Sequence, residues 1–238
     1  MKISTPFIFL FFVTFLLPFN IYSQTVSMED LVSGSQIYKQ LNTKIPLDLD
    51  FTNQNNQKIK LKDYFKETQV LILTLNFFRC TGLCPMQFRN LIDTLNQIPE
   101  EILKKNNFHI VSISFDPTDS AEKANLMTQA WKPLVKNKSI QWDFIVGSGQ
   151  NTEKLAHSMN FYYTLEDGFY NHSAALFFID PHGTFKKYLF GSVYEPSDFI
   201  HALYDTTLNH KIDLTFKEKL EFLMTRFNNI RGKYISLF

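Results

Sequence analysis

Between residues 70 and 208 the chain alternates short apolar runs with stretches of helical period. VLILTLNFF (70–78) is almost continuously apolar, the pattern of a strand buried on both faces. FHIVSISF (108–115) sets Val111, Ile113 and Phe115 against polar neighbours, and WDFIVG (142–147) and AALFFID (174–180) are further strand candidates. Helices start between them at Pro85, at Asp119, where Glu122 three residues on suggests a capping box, and at Thr152, running to Met159. Strands alternating with helices predict an α/β fold with a central, mostly parallel sheet flanked by helices. DPHG (180–183) reads as a turn, TFKKYLFG after it as a strand antiparallel to its predecessor, and a helix runs from about Ser197 to Leu208.

The two ends differ from this core. MKISTPFIFLFFVTFLLPFNIYSQ carries Lys2, an apolar run over residues 7–17, then Pro18, Asn20 and Ser23. The run is shorter than the ~20 residues a spanning helix needs, so residues 1–23 read as a signal peptide cut near Ser23, with an uncleaved anchor as the alternative. Either way the remainder faces an extracytoplasmic space such as the periplasm, where thiols can oxidise. Residues 24–46 are a lead-in without period, 47–208 the domain, and 209–238 an amphipathic helical extension. In that extension Phe216, Leu220, Leu223, Met224 and Phe227 share a face, to pack on the domain or to meet a partner or membrane surface.

Composition narrows the class. At 45% hydrophobic residues, with 25 Phe and 8 Gly, the chain can build a core and is neither collagen-like nor of low complexity. The formal charge is +1 and vanishes if Lys2 leaves with a leader, which excludes the basic footprint of a nucleic-acid binder.

The only two cysteines, Cys80 and Cys84, sit in FFRCTGLCPMQF. Pro85 directly after Cys84 marks a helix start, which puts Cys84 at the helix N-terminus and Cys80 in the loop before it. Both sulfurs then lie at the C-terminal end of the buried strand, where open α/β sheets bind ligands, and the helix N-terminus favours the thiolate. As a staple, a bridge closing so short a loop contributes roughly 2 kcal/mol, a modest return for both cysteines. Redox exchange and metal binding remain, and the pair alone does not separate them.

Of six histidines, His109, His157, His182, His201 and His210 read as surface or packing residues. His172, in YNHSAALFFID, stands at the mouth of a strand expected to run parallel to, and near, the cysteine strand. Two thiolates and one imidazole suit copper(I), copper(II) or zinc.

Taken together, the lead-in FTNQNNQKIKLKDYF, the strand followed by Cys-x-x-x-Cys-Pro, a strand ending in Asp-Pro, and His-Ser before a strand ending in IDPHG resemble the Sco/SenC family over about residues 47–208. The resemblance implies a thioredoxin-like fold and one copper ion held by Cys80, Cys84 and His172. It also implies delivery of copper to, or reduction of thiols in, the dinuclear copper site of cytochrome c oxidase subunit II or another copper-accepting protein. Asp116 matches an acidic position after the second strand. The chain departs from the family at Thr81 and Gly82, where Pro-Asp is usual, and at Asn171, where an Asp is common; losing carboxylates there changes the thiol pKa values and the charge available to a cupric ion.

Two functions follow. In a metallochaperone, Cys80, Cys84 and His172 carry copper, zinc being less suited, and surrender it by ligand exchange. In an extracytoplasmic thiol-disulfide oxidoreductase, Cys80 and Cys84 work as a catalytic redox pair without obligatory metal, served by a thioredoxin-like reductant. Ordinary thioredoxin-like reductases carry a cis-proline before the strand that follows the active-site face; NHSAA has none there, which favours the first function.

Overall fold

The structure, a computed structural model, describes residues 41–207. The leader, most of the lead-in, His210 and the C-terminal extension lie outside the described residues. In chain order the elements are β1 (Asp50–Asn53), β2 (Lys58–Lys60), β3 (Val70–Asn76), α1 (Leu83–Gln97), α2 (Glu100–Lys105), β4 (Phe108–Ser114), α3 (Ala121–Trp131), β5 (Gln141–Gly147), α4 (Gly149–Ser158), β6 (Tyr163–Glu166), β7 (Phe169–His172), β8 (Ala175–Ile179), β9 (Phe185–Phe190) and α5 (Pro196–Thr207).

Seven strands form one sheet in the order β2-β1-β5-β4-β3-β8-β9, and β6-β7 is a separate hairpin. The expected α/β class, a thioredoxin-like sheet flanked by helices, is the one observed. Its parallel part is the central trio β5-β4-β3, with antiparallel strands at both margins. All seven residues of β3 are buried, as its apolar run foretold, and all seven of β4 are buried too, including the polar positions His109, Ser112 and Ser114 against which its apolar residues alternate. Side chains alternate between faces. Val70 and Ile72 join a core with Phe88, Leu91 and Leu95 of α1 and Phe199 of α5. Leu71, Leu73 and Leu75 join the opposite core with Leu155 and Ala156 of α4.

The structure corrects one orientation that matters for the site. β8 pairs with β3 antiparallel, Thr74 opposite Leu176 and Leu71 opposite Ile179. The start of β8 therefore meets the C-terminal end of β3, where the cysteine loop begins. A parallel β8 would have started at the far end of a seven-residue strand, about 20 Å away at ~3.3 Å per residue.

Local boundaries also differ. Helix α1 begins at Leu83, with Gly82 as its N-cap, two residues before Pro85. The cap of α3 is Ser120, whose Oγ accepts from the Lys123 N–H, and Asp119 is not part of a capping box. Its carboxylate is spent instead on the Phe78 N–H (2.7 Å) and the Ser114 hydroxyl (2.6 Å). The hairpins β1-β2 and β6-β7 were not expected. Their strands are short and largely polar, and β6-β7 turns on Asp167-Gly168 with φ of 50° and 82°, a left-handed pair that suits a tight hairpin. Among the described residues no helix is long and apolar enough to cross a membrane.

Candidate metal centre

The chain leaves β3 at Asn76, turns through Phe77–Thr81 with the Cys80 N–H donating to the Phe77 carbonyl (3.2 Å), and enters α1. Cys84 is thus the second residue of the helix, where backbone N–H groups have no intrahelical partner. Its own N–H points at Cys80 Sγ, 3.5 Å away. Cys84 is buried at 1% exposure in the core shared with Phe78 and Phe88, whereas Cys80 is half-buried. Both are free thiols.

His172 arrives from the other side, as the last residue of β7. Its Nδ1 lies 2.8 Å from the Ser173 carbonyl oxygen, which can only accept, so Nδ1 carries the proton and donates. The lone pair on Nε2 then faces Cys84 Sγ at 3.7 Å. The ring stands edge-on to Phe77 (5.6 Å between centroids) and Phe115 (5.1 Å), and Tyr163 stacks on Phe115 at 4.2 Å behind it. These rings fix the imidazole while leaving its metal-facing edge open.

The two Sγ atoms and a His172 ring nitrogen all lie within 4.8 Å of one another. Soft sulfur and an unprotonated imidazole nitrogen at that spacing suit a single ion with bonds of about 2.0–2.3 Å. Among the described residues no other group of three His, Cys, Asp or Glu side chains converges in this way. The group opens into a cleft of about 480 Å³ walled by residues 77 and 79–83 on one side and 168–172 on the other.

The two thiols are not equivalent. The Cys84 thiol, the two helix-start N–H groups of Cys84 and Gly82, and the nearby imidazole together pull the Cys80 pKa down to about 5, the Cys84 thiol contributing most and burial opposing it. The same hydrogen bond between the two thiols, and burial after it, push Cys84 up. The first proton therefore leaves from the more exposed sulfur, and the second is held by the buried one.

Asp116 is not a ligand. Its side chain is 2% exposed and bonds to Arg79 (2.6 Å) and to the backbone N–H and hydroxyl of Thr118 (2.9 and 2.7 Å). Burial alone would raise its pKa, but these bonds outweigh burial and hold it below the ordinary carboxylate value. Arg79, directly before Cys80, is thus clamped from beneath, with Asp119 Oδ1 3.8 Å from its Nε. Thr81, Gly82 and Asn171 all line the cleft and are exposed, so Gly82 and Asn171, the two positions where the resemblance led to the expectation of a carboxylate, border the cysteine–histidine group without supplying charge.

The other described histidines serve elsewhere. His109 Nε2 sits 2.9 Å from Asp143 Oδ2, and His157 lies on the exposed face of α4 near Glu153 (3.9 Å). The residues missed from the sequence are Arg79, Asp119 and the aromatic support of His172. Phe77, Phe115 and Tyr163 were visible as aromatics at strand ends, but nothing local told which ring they would face.

A thioredoxin-like sheet with a Cys-x-x-x-Cys helix start and a facing histidine defines a class of thiol-bearing, metal-capable proteins. The SCO1/SenC family profile matches residues 39–207, and the chain belongs to that family. Among solved structures, yeast Sco1 is 16% identical with a TM-score of 0.56, covering 72% of this chain and 99% of its own. Arabidopsis thaliana ScoI with copper bound is 18% identical with a TM-score of 0.54, covering 68% and 97%. BsSco, a member of the Sco family of cytochrome c oxidase assembly proteins in which a disulfide switch was identified, is 21% identical with a TM-score of 0.56, covering 71% and 95%. No curated protein sequence matches the chain.

Proposed function

We propose that the protein carries one copper ion on Cys80, Cys84 and His172 and passes it to a copper-accepting protein outside the cytoplasm, cytochrome c oxidase subunit II being the recipient the family suggests. The observation that carries this reading is the convergence of the three donor atoms, with His172 held in the Nε2-open tautomer by Ser173. Copper is cargo here, and the protein's part is to hold it loosely enough to give it up. Cys84 is anchored in the core, while Cys80 and His172 sit on a loop and a hairpin at the cleft. An incoming thiol or imidazole can displace these accessible donors first, leaving Cys84 as the last to release. The ligands bind deprotonated, so acid weakens the site. The apolar leader at residues 1–23 supports an extracytoplasmic location.

The test is a copper(I) titration of the reduced protein against a competing chelator, alongside Cys80→Ser, Cys84→Ser and His172→Ala. Binding of about one equivalent, weakened by every substitution, is the expected result; a His172→Ala protein that binds like the parent defeats the three-donor site.

The asymmetry of the thiols favours a second reading, thiol-disulfide exchange. The Cys80 thiolate attacks a partner disulfide and forms a mixed disulfide as one partner thiolate leaves. Cys84 then gives up its proton, attacks Cys80 Sγ, and expels the second partner thiol; the pair is oxidised by two electrons and the partner disulfide reduced by two. A thioredoxin-like reductant restores the dithiol. Turnover of a model mixed disulfide by the metal-free protein tests it, and no turnover rejects it.

A further inference from the structure

At the far end of α1 from the cysteines lies a second cleft, of about 650 Å³, between the last turn of α1, helix α2 and residues 136–139 before β5. The 15 residues of α1 put about 22 Å between the two ends at 1.5 Å per residue. Leu95, Ile98 and Leu103 form an apolar floor, each no more than 5% exposed. The charged lining is one-sided, Lys104, Lys136 and Lys138 against Glu100 alone. Glu100 is spent on Lys104, at 2.9 Å. Lys136 and Lys138 keep their charge, and residues 132–140, KPLVKNKSI, hold no acid to offset it. Charges of one sign over low-dielectric walls focus a field into a cleft, and this field draws anions.

The loop that carries the lysines is fixed in place. Asn96 on α1 accepts the Lys136 backbone N–H on Oδ1 (2.8 Å) and donates Nδ2 to the Leu134 carbonyl (3.1 Å), which pins the loop to the helix. Lys138 Nζ donates to the Pro133 and Val135 carbonyls (2.7 and 2.8 Å), bonds that hold the ammonium without cancelling its charge. The Ser139 backbone N–H can only donate, so Asn137 turns Oδ1 to it (3.0 Å), and the Ser139 hydroxyl adds a second bond (2.7 Å). That sets the amide, and its Nδ2 is left buried with no partner among the described residues. A buried donor without an acceptor is costly, and an acceptor brought in from outside removes the cost.

We propose that this cleft binds a phosphate group, free or as the head of an anionic lipid, with Lys136 and Lys138 supplying the charge and Asn137 Nδ2 the directed donor. Nδ2 lies beneath the surface, so the anion reaches it by a shift of the flexible lysine side chains. Two uncancelled cations and an unmet donor match a multiply charged group with several acceptor oxygens better than a chloride ion. Leu134, 55% exposed on the same loop, suits the apolar part of a lipid. The site stands apart from the metal centre, and nothing in it rests on the copper reading.

The test is the acylation rate of Lys136 in the full chain, followed by peptide mass mapping, with Lys58 on the edge strand β2 as internal control. Inorganic phosphate is raised against chloride at constant ionic strength, and vesicles of phosphatidylglycerol are compared with vesicles of phosphatidylcholine. The expected result is saturable protection of Lys136 and none of Lys58. Asn137→Ala and Lys138→Gln each raise the half-protecting concentration by about tenfold, the size of one hydrogen bond to a charged group. Protection by inorganic phosphate assigns the free anion; protection by phosphatidylglycerol and not by inorganic phosphate assigns the lipid head. The proposal is overturned by a Lys136 protected no better than Lys58, by chloride and phosphatidylcholine protecting as well as their partners, or by parent-like protection in variants that fold.

Discussion

Two histidines at opposite ends of the sheet show what makes a side chain a candidate ligand. His109 and His172 both pack edge-on against an aromatic ring, Tyr64 for the first and Phe115 for the second. Both have one ring nitrogen tied by a short hydrogen bond. For His109 that nitrogen is Nε2, held by the Asp143 carboxylate at 2.9 Å. For His172 it is Nδ1, held by a backbone carbonyl, and Nε2 is turned toward sulfur. The strands decide the difference. His109 is the second residue of β4, at the N-terminal end of the sheet, among the polar caps Gln69, Asn107 and Gln141. His172 is delivered to the C-terminal end, where a helix start and two thiols are waiting.

The contrast breaks most sharply at the proposed ligands. His172→Ala lowers copper(I) affinity by at least about tenfold to a hundredfold, the range seen when even outer partners of a metal site are removed, whereas His109→Ala leaves the affinity at the parent value in the same competition titration. His109→Ala instead lowers folding stability by about 1–3 kcal/mol in urea melts, because Asp143, partly buried, loses its partner.

Next in size is the contrast between the thiols. In the metal-free reduced protein, alkylation at Cys80 rises as pH increases through about 5, and Cys84 stays slow well above that. Peptide mass mapping after timed alkylation separates the two, and equal rates would show that the hydrogen bond between the thiols and the burial of Cys84 do not discriminate between the sulfurs.

Smaller again is the clamp under Arg79. The folded pKa of Asp116 lies below its ordinary 3.8, so its bonds stabilise the fold above that pH and the contribution is lost as pH falls through the depressed value. Asp116→Asn should cost about 1 kcal/mol at neutral pH and flatten the loss of thermal stability below pH 4, read by melting the two proteins across that range.

The smallest effect is expected at the cleft rim. A Cβ built on Gly82 meets nothing within 4 Å, so Gly82→Asp fits without repacking. The added carboxylate favours a doubly charged ion, raising copper(II) or zinc affinity a few-fold relative to copper(I), about the worth of one solvent-screened charge. Unchanged relative affinities would mean that the missing carboxylate is immaterial to metal preference.

Much of the fold was legible because β3 is buried on both faces and its apolar run reports it directly, while β4 showed itself by alternation. The cysteine loop was legible for a local reason as well: Pro85 announces a helix start within a few residues. The hairpin β6-β7 was signalled by Asp167-Gly168, but its strands carry exposed residues such as Phe169 (73% exposed) and lack the alternation that marks a half-buried strand. Asp119 looked like a helix cap because caps are recognised by spacing, and spacing does not reveal that the Phe78 N–H, 41 residues away in sequence, would claim its carboxylate.

The sequence by itself determined the chemistry: two thiols at a helix start, a histidine beside a buried strand, and the succession of motifs that marks the family. The tertiary structure decided the site. The antiparallel run of β8 brought His172 to the cysteines, and Ser173 chose its tautomer. The first outcome depends on the direction in which strands about a hundred positions apart pair and the second on the turn of the chain after β7, and the hydrophobic pattern of a chain carries no record of either.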